Sequence, residues 1–189
     1  MEQRTHFFFA VRMPEETKLM MKKHIEKLKH QIPFSRWVHH QDLHITLAFL
    51  GAAPEEKLTQ AERLVQEASK TTKPFQLRIN RLGFFGNEHS PRVFWADTEE
   101  SKELILLRNK VFSACEEAGF ALETRPFRPH ITLARKWKGE EAFQQTQLEM
   151  WNELQPDPLL FQAKEVVLYQ THLQKTPKYE AIKVFPLKE

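Results

Sequence analysis

The pentapeptide His-Ile-Thr-Leu-Ala stands twice in this chain, at His44-Ile45-Thr46-Leu47-Ala48 and at His130-Ile131-Thr132-Leu133-Ala134, with the two histidines 86 positions apart. Each copy alternates hydrogen-bonding residues with bulky apolar ones, the period-two pattern of a strand that is buried on one face. On such strands His44 and Thr46 share a face, as do His130 and Thr132, while the Ile and Leu of each copy enter the core. Two related half-buried strands can face one another across a groove, and the rest of the fold has to provide it.

With 189 residues the chain has the length of one domain, 1–189, and can bury a substantial core. Its 41% hydrophobic and 28% charged residues fit a soluble globular protein and argue against disorder. No run approaches the ~18 apolar residues of a membrane span. The opening Met1-Glu2-Gln3-Arg4 leads into a strand-like segment instead of a signal peptide, so a cytoplasmic location is expected. The single Cys115 sits with Phe112, Ala114 and Ala118 on an apolar helix stripe and is expected to be a buried structural thiol. A net charge of +3 permits a polyanionic partner without demanding one. Arg125, Arg128, Arg135, Lys136 and Lys138 nevertheless gather around the second motif.

Along the chain, residues 6–12 read as a strand and Pro14-Glu15-Glu16 opens a helix to about Lys29. Trp37-Val38 and Leu43 to Leu50 read as extended, and Pro54-Glu55-Glu56 starts a second helix to about Ser69. Phe75 to Phe84 and Val93 to Asp97 are expected to form a hairpin around Gly86-Asn87 and Pro91. A helix from about Ser101 to Glu117 ends at Gly119, and the second motif strand follows. Residues 139–151 read as a short helix and loop, and Val166 to Leu173 with Tyr179 to Val184 as two last strands. Each half of the sequence holds strands, a long amphipathic helix and one motif strand. The pattern predicts an α+β fold: a bilobal, pseudo-two-fold arrangement of two antiparallel sheets, helices on their outer faces and a central polar cleft.

Two histidines facing one reacting group can serve as general acid and general base. The Thr two positions on from each His points the same way and offers a hydroxyl to an anionic oxygen. Basic residues nearby would stabilise phosphoryl charge, so the constellation points to a phosphoester. Catalytic zinc needs three protein ligands and only Asp42 stands near the first motif, which sets a metal site aside. Strict alternation places Phe49 on the core side. The same parity would drive Arg135 into the core unless the strand ends or bulges near Ala134 or the side chain snorkels out. Trp37 and Trp95 read as core or rim residues, and His39 and His40 receive no role.

The repeated His-x-Thr-hydrophobic pattern resembles that of the two-histidine phosphoesterases. Trp37 through Gly51, together with Arg128-Pro129-His130-Ile131-Thr132-Leu133-Ala134-Arg135, resembles the RNA 2',3'-cyclic phosphodiesterases, also known as 2'-5' RNA ligases. The resemblance implies metal-independent hydrolysis of an RNA terminal 2',3'-cyclic phosphate to a 2'-phosphate. It implies His44 as proton donor to the departing 3' oxygen and His130 as the base that activates water, with Thr46, Thr132 and Arg135 binding the phosphate. No metal or organic cofactor is implied. The expected partners are RNA cyclic phosphate ends or small cyclic nucleotides, met by a monomer away from membranes. The rival readings are 2'-5' ligation, hydrolysis of small cyclic nucleotide phosphates, and RNA-end binding without turnover.

Overall fold

The computed structural model describes residues 5–188; residues 1–4, on which the reading of the chain start rests, and residue 189 lie outside the described part. Helices begin where the sequence places their caps. Pro14 precedes α1 (Glu15–Lys29) and Pro54 precedes α2 (Glu55–Lys70), each with two glutamates in its first turn, where the helix dipole favours negative charge. Ser101 caps α3 (Lys102–Glu117) by accepting from the Leu104 N–H at 3.1 Å. The short α4 (Met150–Leu154) closes the 139–151 region, preceded by a 3-10 turn.

The strands are β1 (Phe7–Arg12), β2 (Phe34–Trp37), β3 (His44–Gly51), β4 (Phe75–Asn87), β5 (Ser90–Thr98), β6 (His130–Trp137), β7 (Leu159–Ala163), β8 (Glu165–Thr171) and β9 (Tyr179–Pro186). They pair antiparallel in the order β7-β4-β5-β6-β3-β1-β8-β9, with β2 also on β6. β7 was not foreseen: its short segment follows Pro156-Asp157-Pro158 and finds its place only by pairing with β4, a long-range contact.

The two expected sheets are present as one half of five strands, β2 and β4 to β7, and one of four, β1, β3, β8 and β9, but they are continuous. The two motif strands, β3 and β6, join them through one pair, Ile45 with Ile131. Nor do the lobes follow the halves of the sequence. One lobe is built from β2 and β4 to β7, whereas the other is assembled from β1, β3 and the C-terminal β8 and β9. The helices cross over. α2 and α3 pack on one another and on β3, β8 and β9. α1 lies with α4 against the other lobe, its His24 Nε2 2.7 Å from Gln155 Oε1 and its ring edge-on to Trp151. The apolar faces of both lobes merge into one core that includes Phe9, Phe34, Ile45, Phe94, Ile131 and Phe185. Cys115 is buried in it, and burial pushes its thiol up to about 12, which leaves it inert.

The same irregularity interrupts both motif strands. On β3, Ala48 pairs with Phe9 and Thr46 with Ala10, so Leu47 is an extra residue with no partner. On β6, Ala134 pairs with Phe94 and Thr132 with Trp95, which leaves Leu133 extra. Each bulge buries two consecutive residues, Leu47 with Ala48 and Leu133 with Ala134, and reverses the parity of the residue that follows. Phe49, expected in the core, is therefore turned to the other face and is 56% exposed. The conflict at Arg135 is resolved by the bulge: its side chain points away from the core.

Candidate active site

The polar faces of β3 and β6 form the floor of a cleft of about 480 Å³ that contains His44, Thr46, His130, Thr132 and Arg135 together. These are the five site residues expected from the sequence, from segments more than 80 positions apart. The antiparallel register through Ile45 and Ile131 explains their order. One residue to either side, it sets His44 beside Thr132 and Thr46 beside His130, so the pseudo-two-fold axis passes between two His-Thr pairs.

Each ring is held from the residue two positions before it. His44 Nδ1 lies 2.7 Å from the Asp42 carbonyl, and His130 Nδ1 lies 2.8 Å from the Arg128 carbonyl. A carbonyl oxygen only accepts, so Nδ1 carries the proton in both rings and Nε2 is turned to the cleft. The Thr46 hydroxyl stands 3.0 Å from His44 Nε2 and donates to it while the ring is neutral.

The two rings differ in their surroundings. His44 is enclosed by aromatic rings, with Phe8 at 4.8 Å, Tyr179 at 5.2 Å and Tyr169 at 5.9 Å between centroids. Burial pulls its pKa down to about 4, and the charges of His130, Lys178 and Arg135 act in the same direction. His130 has Phe85 edge-on at 4.9 Å and Trp95 at 6.3 Å. Its pKa is also lowered, chiefly by burial and then by Arg135, but less than that of His44. Trp95 reaches this place because its register partner is Gly83, where a Cβ would stand 2.2 Å from the indole ring.

Several lining residues escaped the sequence reading. Arg36, Lys175 and Lys178 add cations to the walls, and Phe49 and Leu173 add exposed apolar surface. Of the five basic residues around the second motif, only Arg135 lines the cleft. Asp42 is buried, and its carboxylate accepts the backbone N–H groups of Lys178 and Tyr179, both at 3.0 Å. It thereby ties the β8–β9 loop to the residue that orients His44. The signal was present as Asp42 two positions before a motif histidine, but its partner lies 136 positions away. His39 accepts from the Gln41 N–H at 3.2 Å and reaches the cleft rim, while Trp37 is half-buried in its wall. Among the described residues no group of three or more His, Cys, Asp or Glu side chains could hold a metal ion, and no helix is long and apolar enough to cross a membrane.

Comparison with known proteins agrees with this geometry. The family model of the 2'-5' RNA ligase superfamily matches residues 18–175. A protein of Geobacillus stearothermophilus named RNA 2',3'-cyclic phosphodiesterase is 42% identical over 185 residues, covering 98% of this chain and 58% of that protein. The chain thus spans little more than half the length of that relative. A Bacillus subtilis protein of the same name is 36% identical over 191 residues, covering 97% of both chains. The crystal structure of E. coli LigT complexed with 3'-AMP superposes with a TM-score of 0.77 at 25% identity, over 99% of this chain and 100% of the other. The match over residues 18–175, the near-complete overlap with the Bacillus relative and the paired motifs across one cleft all lead to one conclusion: the chain belongs to the 2'-5' RNA ligase superfamily of two-histidine phosphoesterases.

Proposed function

We propose that the domain of residues 1–189 is a cytoplasmic, monomeric phosphodiesterase that opens a terminal 2',3'-cyclic phosphate on RNA to a 2'-phosphate, with no metal. The observation that carries this reading is the pair of cleft-facing Nε2 atoms flanked by Thr46 and Thr132, in a chain whose relatives are named RNA 2',3'-cyclic phosphodiesterase.

In the proposed step, Thr46, Thr132 and Arg135 hold the non-bridging oxygens of the phosphate. His130 Nε2 takes a proton from water as its oxygen bonds to phosphorus. The bond from phosphorus to the 3' oxygen breaks, and His44 Nε2 gives its proton to that oxygen. One proton enters the pair and one leaves it, so the two rings exchange protonation in each turnover. Loading His44 requires the bound anion to raise its affinity for a proton, since burial depresses it in the empty cleft. A phosphate placed between the rings does this by replacing lost hydration with a nearby negative charge.

The test is incubation with a short RNA ending in a 2',3'-cyclic phosphate, with EDTA present and the products resolved by chromatography. The expected product is the 2'-phosphate, at unchanged rate in chelator. His44→Ala and His130→Ala should each lower turnover by about 10²–10⁴-fold while the fold survives. A variant that keeps more than a tenth of the rate, or a rate lost to EDTA and restored by zinc, would refute the scheme.

A further inference from the structure

The cleft carries more positive charge than one cyclic phosphate can use. Its walls hold Arg36, Arg135, Lys175 and Lys178, and the carboxylate among the lining residues, Asp42, is already occupied by two backbone N–H groups. A 2',3'-cyclic phosphate brings a single negative charge. Arg135 stands on the motif strand itself, three positions after Thr132, whereas Arg36 lines the cleft from the neighbouring strand β2.

Arg36 is set one strand farther out. It lies on β2 directly across from Arg135 on β6, and residues in register on adjacent antiparallel strands present their side chains to the same face. Two like charges in that relation repel one another and destabilise the sheet. Arg12, Arg78, Arg81 and Arg125 each have a carboxylate partner, whereas Arg63, Arg92, Arg108 and Arg128 have none among the described residues, and none of these eight lines the cleft. Arg36 and Arg135 have none within 4.0 Å among the described residues, and both side chains are exposed to the cleft. A repelling pair maintained on a binding wall is relieved by an anion placed between its members.

We infer that Arg36 receives a second phosphate, the phosphodiester on the 5' side of the terminal ribose, so that the cleft selects RNA chains over cyclic mononucleotides. This rests on the proposed reaction and adds the residue that reads the chain beyond the terminal phosphate. The guanidinium is suited to the task because its planar fork donates two parallel hydrogen bonds to phosphate oxygens.

The experiment compares kcat/KM for 2',3'-cyclic AMP and for a trinucleotide ending in the same cyclic adenosine, at several salt concentrations. In the wild type the trinucleotide should be favoured. Arg36→Ala should reduce the trinucleotide-to-mononucleotide ratio about tenfold, as expected for one lost charge-assisted contact, and reduce the salt slope for the trinucleotide by about one. Arg36→Lys should restore part of the ratio. Removing one member of a repelling pair should leave the melting temperature at low salt unchanged or higher, so a loss of selectivity would not come from a damaged fold. A ratio in Arg36→Ala equal to that of the wild type overturns the inference while the hydrolytic reading stands. A wild type that turns over neither substrate overturns the hydrolytic reading itself.

Discussion

The two copies of His-Ile-Thr-Leu-Ala have the same sequence, the same bulge and the same carbonyl two residues upstream, yet their histidines hold protons with different strength. His44 lies in a cage of Phe8, Tyr169 and Tyr179, contributed by β1, β8 and β9. His130 has only Phe85 and Trp95 at comparable range, from β4 and β5. The neighbouring strands, and not the motif, therefore set each proton affinity. The position that follows each bulge diverges as well: β3 presents Phe49 and β6 presents Arg135 to the same cleft. Duplication supplies two matched histidines, and divergence around them supplies two different ring environments, an apolar side and a charged side.

Breaking the symmetry-related positions after the bulges should separate these tasks. Arg135→Ala removes a donor from the charge that develops on the phosphate and should lower kcat by about 10²-fold. Phe49→Ala removes an apolar platform of the kind on which a base stacks and should raise KM by about tenfold with kcat little changed. If steady-state kinetics instead give both variants the same split, the two sides are not specialised.

The sharpest test of the difference between the histidines is pH. The depressed pKa of His44, about 4 against 6.5 for an ordinary histidine, means that the unfolded chain takes up this proton before the folded one does. The resulting stability is complete above pH 6.5, is lost as pH falls from 6.5 toward 4, and stays level below that. The loss should reach about 1–3 kcal/mol in denaturant titrations, and His44→Gln should flatten the curve over that window. His130→Gln should flatten it less. Equal flattening by both would mean that the aromatic cage does not distinguish the rings.

The motif residues were legible because their pattern is local: alternation, a repeated pentapeptide and a helix cap need only a few neighbouring positions. The cleft itself was legible from the repeat, since two half-buried polar faces must meet something. Phe49 was misplaced because parity was carried through a bulge that no residue within the motif announces; Arg135 gave the hint, as a guanidinium could not follow that parity into the core. β7, Arg36 and Lys178 stayed hidden for one shared reason. Their roles depend on pairings across the sheet, of β7 with β4, of β2 with β6, and of the β8–β9 loop with Asp42, which no short window of sequence contains. The division of lobes was hidden likewise, because β8 and β9 return to β1 from the far end of the chain.

The division of labour between the copies is tested most directly with an RNA whose terminal cyclic phosphate carries sulfur in place of the bridging 3' oxygen. A thiolate leaves without being protonated, so a lost general acid is no longer felt, while the need for a base to activate water remains. The predicted result is that His44→Ala regains most of the wild-type rate on this substrate and His130→Ala regains none. Rescue of His130→Ala with His44→Ala still inactive would reverse the assignment, and rescue of neither or both would contradict the claim that the two copies perform different steps.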